Sequence, residues 1–255
     1  MKIVAVIPAH LQSTRFPNKL LAIFSGKPII ENVIEYVKKF DFVDKIVLAS
    51  DSAELEEFAI KHKIEWFYMV SGARCGSERS YSYFLSDASF DYYVSIPSDE
   101  PFIDPIEINR VWKEYISSTT RTEREEIATF YTKFFNREDL ESRLSCKIVS
   151  DFKNKALYFS RQIIPTTKID EDYKKIVLNV YKKHVGVFIF PREWMEHSAI
   201  YVWDDKKSIL ADIEGLEQNR FIEFGSFVRL LEIKHIAFGI DSAYQVKVLE
   251  DRIKN

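Results

Sequence analysis

Glycine is scarce in this sequence, with seven in 255 residues. There is little room for glycine cradles, and neither a G-x-G-x-x-G turn nor a Walker-type loop occurs, which argues against a dinucleotide dehydrogenase or a P-loop kinase. Cysteine is nearly absent: Cys75 and Cys146 stand alone in a long chain, a usage that fits reduced cytosolic thiols better than a disulfide framework. Positive charge is not in excess. The net charge of −3 argues against nucleic acid as the main partner, while leaving room for a local basic pocket. No apolar run approaches the length of a membrane span, and Met1-Lys2 leads straight into a strand pattern rather than a signal peptide. The expectation is a cytoplasmic protein with no membrane span.

What is present is a soluble globular composition, 46% hydrophobic and 29% charged, long enough for one large α/β domain or a domain with a sizeable insertion. The stretch from Ile3 to Leu21 organises it. Ile3 to Ile7 is an apolar run suited to a buried parallel strand. Pro8 is expected to end that strand, because proline donates no ladder hydrogen bond. Ala9, His10, Ser13, Thr14, Arg15 and Lys19 follow, at the end of a first strand where open α/β sheets bind ligands. Arg15 and Lys19 suit an anion, Arg by its fork and Lys as a point charge. Two such cations by themselves fit a solvated loop equally well.

Further on, Pro28 to Phe40 carries apolar residues at helical spacing, with Pro28 suited to the first helical position. Lys45 to Ser50 reads as a second buried strand, Asp51 and Ser52 as an N-cap, Ala53 to Lys61 as a helix, and Glu65 to Val70 as a third strand. This alternation implies a parallel sheet with right-handed crossovers. Gly76 permits close backbone approach and Ser77 suits the cap of a helix. Asp91 to Pro97 reads as a strand, with Ser98-Asp99-Glu100-Pro101 at its end. A carboxylate there suits Mg²⁺, although Asp-Glu-Pro alone is also an ordinary turn. Pro105 to Ile116 is a plausible helix and Ser117 to Glu125 a polar loop. Strands follow at Ile127 to Phe134 and Lys147 to Ser150. Thr166 to Leu178 is a charged connector. Glu214 and Glu217 are expected on one helix face, three residues apart. Lys234 to Gly239 and an amphipathic helix to Ile253 close the chain.

Seven stretches together resemble one family. Pro8 to Leu21 resembles the Pro-Ala-Arg-x-x-Ser-Thr-Arg-x-Pro-x-Lys-x-Leu signature of sugar-activating nucleotidyltransferases, with His10 in place of Arg and Asn18 in place of a common Gly. Cys75 to Arg79 resembles Ser-Gly-Thr-Glu-Arg, and Asp99-Glu100-Pro101 resembles the end of Gln-Gly-Asp-Glu-Pro, with Pro97 and Ser98 departing. Ala156 to Arg161 matches Ala-Leu-Tyr-Phe-Ser-Arg. His184 to Phe190 resembles His-Leu-Gly-Ile-Tyr-Gly-Tyr, with Phe188 for a Tyr. Ile213 to Gly225 resembles Glu-x-Leu-Glu-Gln-Leu-Arg-x-Leu-Glu-x-Gly, with Ala211 before it for a Glu, and Ile240-Asp241-Ser242 resembles Val-Asp-Thr. The family is that of the 3-deoxy-manno-octulosonate cytidylyltransferases, the CMP-Kdo synthetases.

The resemblance implies a Rossmann-like, mostly parallel sheet flanked by helices, of the nucleotide-diphospho-sugar transferase type, with a sugar-binding and dimerisation insertion. The whole chain is then one nucleotidyltransferase domain. Residues 1–134 are mainly nucleotide-binding, 135–225 mainly sugar-binding and dimer-forming, and 226–255 return to the nucleotide-binding core. It implies Mg²⁺ on Asp99 and Asp241, and catalytic roles for Arg15, Lys19, Asp99 and Asp241. Nucleotide contacts fall to Pro8, Ala9, His10, Ser13, Arg15, Lys19, Arg74, Gly76 and Ser77, and sugar contacts to Arg161, His184, Glu217 and Gln218. The expected partners are CTP, a 2-keto-3-deoxy sugar acid (Kdo or a close variant such as an amino-Kdo) and a second copy in a homodimer, in the service of lipopolysaccharide synthesis. Two alternatives stay open: a relative that binds without catalysis, and a nucleotidyltransferase using another base.

Overall fold

A computed structural model describes residues 1–13, 16–69, 72–119, 125–134, 136–166, 180–203, 207–234, 239–240, 242 and 244–246. Its first part runs β1 (Ile3–Ala9), a hairpin of β2 (Ile23–Phe24) and β3 (Lys27–Pro28), α1 (Ile29–Val37), β4 (Lys45–Ser50), α2 (Glu56–His62), β5 (Glu65–Tyr68), α3 (Gly76–Ser86), β6 (Tyr92–Ser95) and α4 (Pro105–Ser118). Then come β7 (Ile127–Lys133), α5 (Arg137–Glu141), β8 (Lys147–Ser150), β9 (Ala156–Ser160), β10 (Lys182–Pro191), α6 (Arg192–His197), α7 (Ala199–Trp203), α8 (Ile209–Glu214), α9 (Gln218–Glu223) and β11 (Val228–Glu232). Packing divides the chain into two units, Met1–Trp112 with Ala237–Asn255, and Lys113–Ile236.

In the first unit the strands lie in the order β6-β1-β4-β5, all parallel. This is the helix-flanked parallel sheet that the alternating sequence pattern implies. All seven residues of β1 are buried, as a strand covered on both faces requires. Pro8 does not end it: β1 continues to Ala9, with Pro8 opposite Ala49 and Ala9 opposite Ser50. The reason lies in which side the proline faces. Val6 accepts from Ile96 on the β6 side, so Pro8, two residues on, turns its donor-less nitrogen the same way, beyond the last β6 register pair at Ser95.

Ile29, Ile30, Val33, Ile34 and Val37 of α1 are fully buried, each worth about 1.5–3 kcal/mol on leaving water. Pro28 sits at the N-cap, one position earlier than expected. Before it, Ser25 and Gly26 both take positive φ, 50° and 79°, the two-residue turn that matches the twist of a tight hairpin. Ser52 heads a short 3₁₀ turn without a side-chain capping bond, and Asp51 is engaged elsewhere. Ser77 is not a cap either: Cys75 holds that position, and Ser77 is buried inside the first turn of α3.

In the second unit β11 runs parallel to β7, while β7 with β10, β10 with β8, and β8 with β9 are antiparallel. Register slips in β10 between Val185 and Phe188, so Gly186 and Val187 form a bulge opposite β7. Phe188, Phe190, Trp194 and Phe221 pack as stacked and edge-on rings, with centroids 5.2–5.8 Å apart. The Lys147 side chain is fully buried, and its ammonium donates to the carbonyls of Ser142, Ser145 and Arg161. Burial lowers its pKa.

Glu214 and Glu217 do not share a helix face. Gly215, at φ 61° and ψ 40°, ends α8 in a left-handed cap just after Glu214, and Glu217 is the N-cap of α9. Strand β11 and helices α6 and α7 have no counterpart in the sequence reading. The expected strand Lys234 to Gly239 and the closing helix fall largely outside the described residues, as do Val70, most of the connector Thr166 to Leu178 and the middle of the loop Ser117 to Glu125. No helix among the described residues is long and apolar enough to cross a membrane.

Candidate functional site

Parallel pairing brings three strand ends together in the first unit. Because β1 lies between β6 and β4, the residues just past their carboxyl ends become neighbours: His10 after β1, Asp51 after β4, and Asp99 beyond β6. Lys19 joins them. Asn18 takes the left-handed conformation that its short polar side chain tolerates, φ 57°, and opens the 3₁₀ turn that carries Lys19. The Lys19 ammonium donates to Oδ2 of Asp99, and the lysine is buried. Asp99 is tied down from a second direction, its carbonyl accepting from Ile240 N–H at 2.9 Å. Ile240 is the residue before Asp241. Asp241 itself, like Thr14 and Arg15, lies outside the described residues.

A second ion pair in this unit escaped the sequence reading. Arg79, buried on α3, directs Nη2 to Oδ2 of Asp51 at 3.4 Å. Its Nε is buried without a hydrogen-bond partner among the described residues. The available signal was Asp51 at the end of a buried parallel strand, a place where a carboxylate is more than a cap. His10 feels both pairs. It keeps an exposed face, yet partial burial, then the charges of Arg79 and Lys19, lower its pKa, opposed by Asp51 and Asp99. The lowered pKa disfavours the charged imidazolium, whereas an arginine carries a permanent charge.

The other nucleotide-side candidates are placed as follows. Pro8 and Ala9 end β1, both buried. Ser13 accepts from Phe16 N–H at 3.4 Å and shapes the loop. Gly76 and Ser77 open α3. Arg74 turns onto Glu78, whose carboxylate also takes the Arg74 backbone N–H at 2.6 Å. Glu78 therefore works at the helix start, holding the N–H of the residue before the Cys75 N-cap.

In the second unit His184 and Gln218 meet directly, Gln218 Nε2 lying 3.1 Å from His184 Nδ1. On the other side of the ring, Nε2 is 2.9 Å from Thr129 Oγ1. Burial lowers the His184 pKa to about 3. Phe159 and Phe188 wall the imidazole, with centroids 5.2 and 5.3 Å away. Arg161 commits three N–H groups to backbone carbonyls: Nε to Glu214 at 2.8 Å, Nη1 to Arg143 at 3.0 Å, and Nη2 to Gly215 at 3.0 Å. Glu214 is an anchor rather than a solvated face. It accepts from Ser160 Oγ and Arg161 N–H, both at 2.8 Å, and from Tyr158 Oη at 3.3 Å. Glu217 follows at the cap of α9, partly exposed.

Asp99 offers the hard oxygen donor that Mg²⁺ takes. Among the described residues, no group of three or more His, Cys, Asp and Glu side chains gathers for a metal. A Mg²⁺ site built on one or two carboxylates plus substrate oxygens needs no such group.

Residues 4–233 match the sequence profile of the family described as cytidylyltransferase. The chain belongs to the cytidylyltransferase family. As a member it is a nucleotidyltransferase enzyme. It is 33% identical over 248 residues to 3-deoxy-manno-octulosonate cytidylyltransferase of Parabacteroides distasonis, covering 95% of this chain and 94% of the relative. To the enzyme of that name from Bacteroides thetaiotaomicron it is 32% identical over 260 residues, covering 100% and 99%. Among solved structures, CMP:2-keto-3-deoxy-manno-octonic acid synthetase complexed with CTP matches its fold with a TM-score of 0.83 at 24% identity, over 100% of this chain and 99% of that one. A cytidylyltransferase fold is therefore the frame in which the two clusters stand.

Proposed function

We propose that this cytidylyltransferase uses CTP to activate a 2-keto-3-deoxy sugar acid, Kdo or a close variant such as an amino-Kdo. The anomeric hydroxyl oxygen bonds to the α-phosphorus of CTP and the α–β phosphoanhydride bond breaks. The hydroxyl proton is lost to solvent, and CMP-sugar and pyrophosphate result. The observation that carries this reading is the Lys19–Asp99 pair at the strand ends, a cation for a phosphate beside a carboxylate for a cation. The names of the full-length relatives support the choice of base and acceptor.

The chemistry is charge management, because a triphosphate and a carboxylate repel each other. Lys19, with Arg15, neutralises the leaving pyrophosphate, the kind of electrostatic stabilisation that dominates phosphoryl-type transfers. Asp99 and Asp241 would hold Mg²⁺. Bound there, the ion would add positive charge at the triphosphate and favour loss of the hydroxyl proton. Pro8, Ala9, His10, Ser13, Arg74, Gly76 and Ser77 line the nucleotide's side in this reading. Arg161, His184, Glu217 and Gln218 orient the acceptor, which is worth several kcal/mol of barrier when geometry is held. The working form in this reading is a homodimer in the cytoplasm that supplies an activated sugar for lipopolysaccharide.

His10, Pro97, Phe188 and Ala211 depart from the family signature at its nucleotide and sugar positions, which favours an altered acceptor over ordinary Kdo. A second reading, a relative that binds without catalysis, is favoured by one feature: burial and the charges of Arg79 and Lys19 lower the His10 pKa, at a position where the family signature has a permanent cation.

Pyrophosphate release by the purified protein with CTP and Mg²⁺ separates these. Release with Kdo or an amino-Kdo, absent with UTP and abolished by Asp99→Ala, is the expected result. CTP binding without release for any 2-keto-3-deoxy sugar acid moves the protein to the second reading. A strong preference for ordinary Kdo sinks the altered acceptor.

A further inference from the structure

One side chain of β7 closes on the backbone carbonyls at the bulge in β10. Thr129 of β7, fully buried, lies with Oγ1 2.8 Å from the carbonyl of Val187 and 3.4 Å from that of Val185. A threonine hydroxyl has one proton, and a carbonyl oxygen accepts only. That proton is therefore spent on the bulge. The remaining contact of Oγ1, to His184 Nε2 at 2.9 Å, then has one consistent polarity: Nε2 carries a hydrogen and donates. In a neutral imidazole the other nitrogen, Nδ1, is a bare acceptor. Gln218 faces Nδ1 at 3.1 Å and must meet it with its NH₂. The same NH₂ lies 3.7 Å from Cys146 Sγ. No hydrogen bond from the described residues reaches Gln218 Oε1, and that atom is not one of the buried, partnerless ones.

We propose that Thr129 is a positioning and specificity-determining residue: by fixing His184 as the Nε2–H tautomer it orients the Gln218 amide so that a carbonyl oxygen, not an NH₂, meets the acceptor. The inference about the acceptor rests on the function proposed above; the tautomer does not. The Gln218 position then reads a hydrogen-bond donor, a sugar hydroxyl or an ammonium, and rejects a group that only accepts. A site built to bond a hydroxyl discriminates strongly against an analogue lacking it, because its own polar atom is left unpaired. Burial of the imidazole, which lowers its pKa, keeps the ring neutral so that the relay holds.

The test is imidazole ¹⁵N NMR of the full chain at neutral pH, paired with steady-state kinetics. Wild type and Thr129→Ser, which keeps the hydroxyl, are expected to show a protonated Nε2 and a bare Nδ1 at His184. Thr129→Val, which loses the hydroxyl at similar volume, is expected to show mixed or reversed tautomers. Its KM for the sugar acid should rise by about tenfold or more, with kcat and the KM for CTP little changed, and Thr129→Ser should restore it. A proton on Nδ1 of His184 in wild type overturns the proposal whether or not Thr129→Val folds, as does a Thr129→Val protein with unaltered tautomer and sugar KM. The expected tautomers without turnover of any sugar acid in wild type would leave the positioning role standing and remove the functional reading.

Discussion

The ammonium of Lys19 rests on the carboxylate of Asp99, 80 positions along the chain. The contact is largely enclosed on the lysine side, where the side chain is 10% exposed, and more open at Asp99, where it is 31%. A nucleotide triphosphate would compete with Asp99 for that ammonium.

Asp99→Asn is expected to bind CTP with little change while pyrophosphate release falls by about a hundredfold or more, the usual scale for removing an electrostatic stabiliser. Lys19→Met is expected to weaken CTP as well as slow turnover. Calorimetric CTP binding beside pyrophosphate release separates the two variants. Near wild-type release by Asp99→Asn would remove Asp99 from the chemistry.

Asp51 opposes the burial and the cations that lower the His10 pKa. Asp51→Asn removes one negative charge and leaves Arg79 without this ion partner, so the His10 pKa should fall further. An NMR titration of the His10 imidazole in both proteins measures it. An unchanged His10 pKa in Asp51→Asn would show that Asp51 does not act on His10.

Acid should weaken the second unit through His184. Its pKa is lowered from an ordinary 6.5 to about 3 in the folded chain. Between those values the unfolded chain holds the proton and the folded chain does not. Stability therefore falls as pH drops below about 6.5, by about 1.4 kcal/mol per pH unit from this group. Urea unfolding from about pH 7 to about pH 4 should be visibly less steep in its pH dependence for His184→Gln. Equal steepness would mean that His184 titrates normally in the fold.

Asn219 is fully buried on α9 and grips the edge of β9 like an extra strand, accepting from Phe159 N–H at 3.0 Å and donating to the Phe159 carbonyl at 2.8 Å. Asn219→Leu strands both backbone groups, each costing about 1–3 kcal/mol when buried unpaired. A loss of about 2–4 kcal/mol in chemical denaturation is expected. Asn219→Asp can satisfy only the N–H. A loss below about 1 kcal/mol for Asn219→Leu would show that β9 relaxes to recover its partners.

Local sequence signals fixed several features because their physics is local. Asn18 tolerates a left-handed backbone and takes it. The apolar periodicity of Ile29 to Val37 makes a buried helix face. The runs Ile3 to Ile7 and Lys45 to Ser50 have the length and composition of buried strands, and they pair in parallel. Misreadings occurred where a residue's role depends on what lies opposite it. Pro8 breaks a strand only if its nitrogen faces a partner, and here the neighbouring strand has already ended. Glu214 and Glu217 have helical spacing, but one left-handed glycine between them ends the helix. Ser52 and Ser77 are cap residues by type, and neither serves as a side-chain cap.

By itself, then, the sequence determined the class of the first sheet, the order of its motifs and the family they resemble, because strand burial, helix periodicity and motif spacing are written in consecutive residues. Only the tertiary structure decided the partnerships. Lys19 with Asp99, Arg79 with Asp51, and Thr129 through His184 to Gln218 join residues 28 to 80 positions apart. Strand order and a two-residue bulge choose those partners, and neither leaves a periodic trace along the chain.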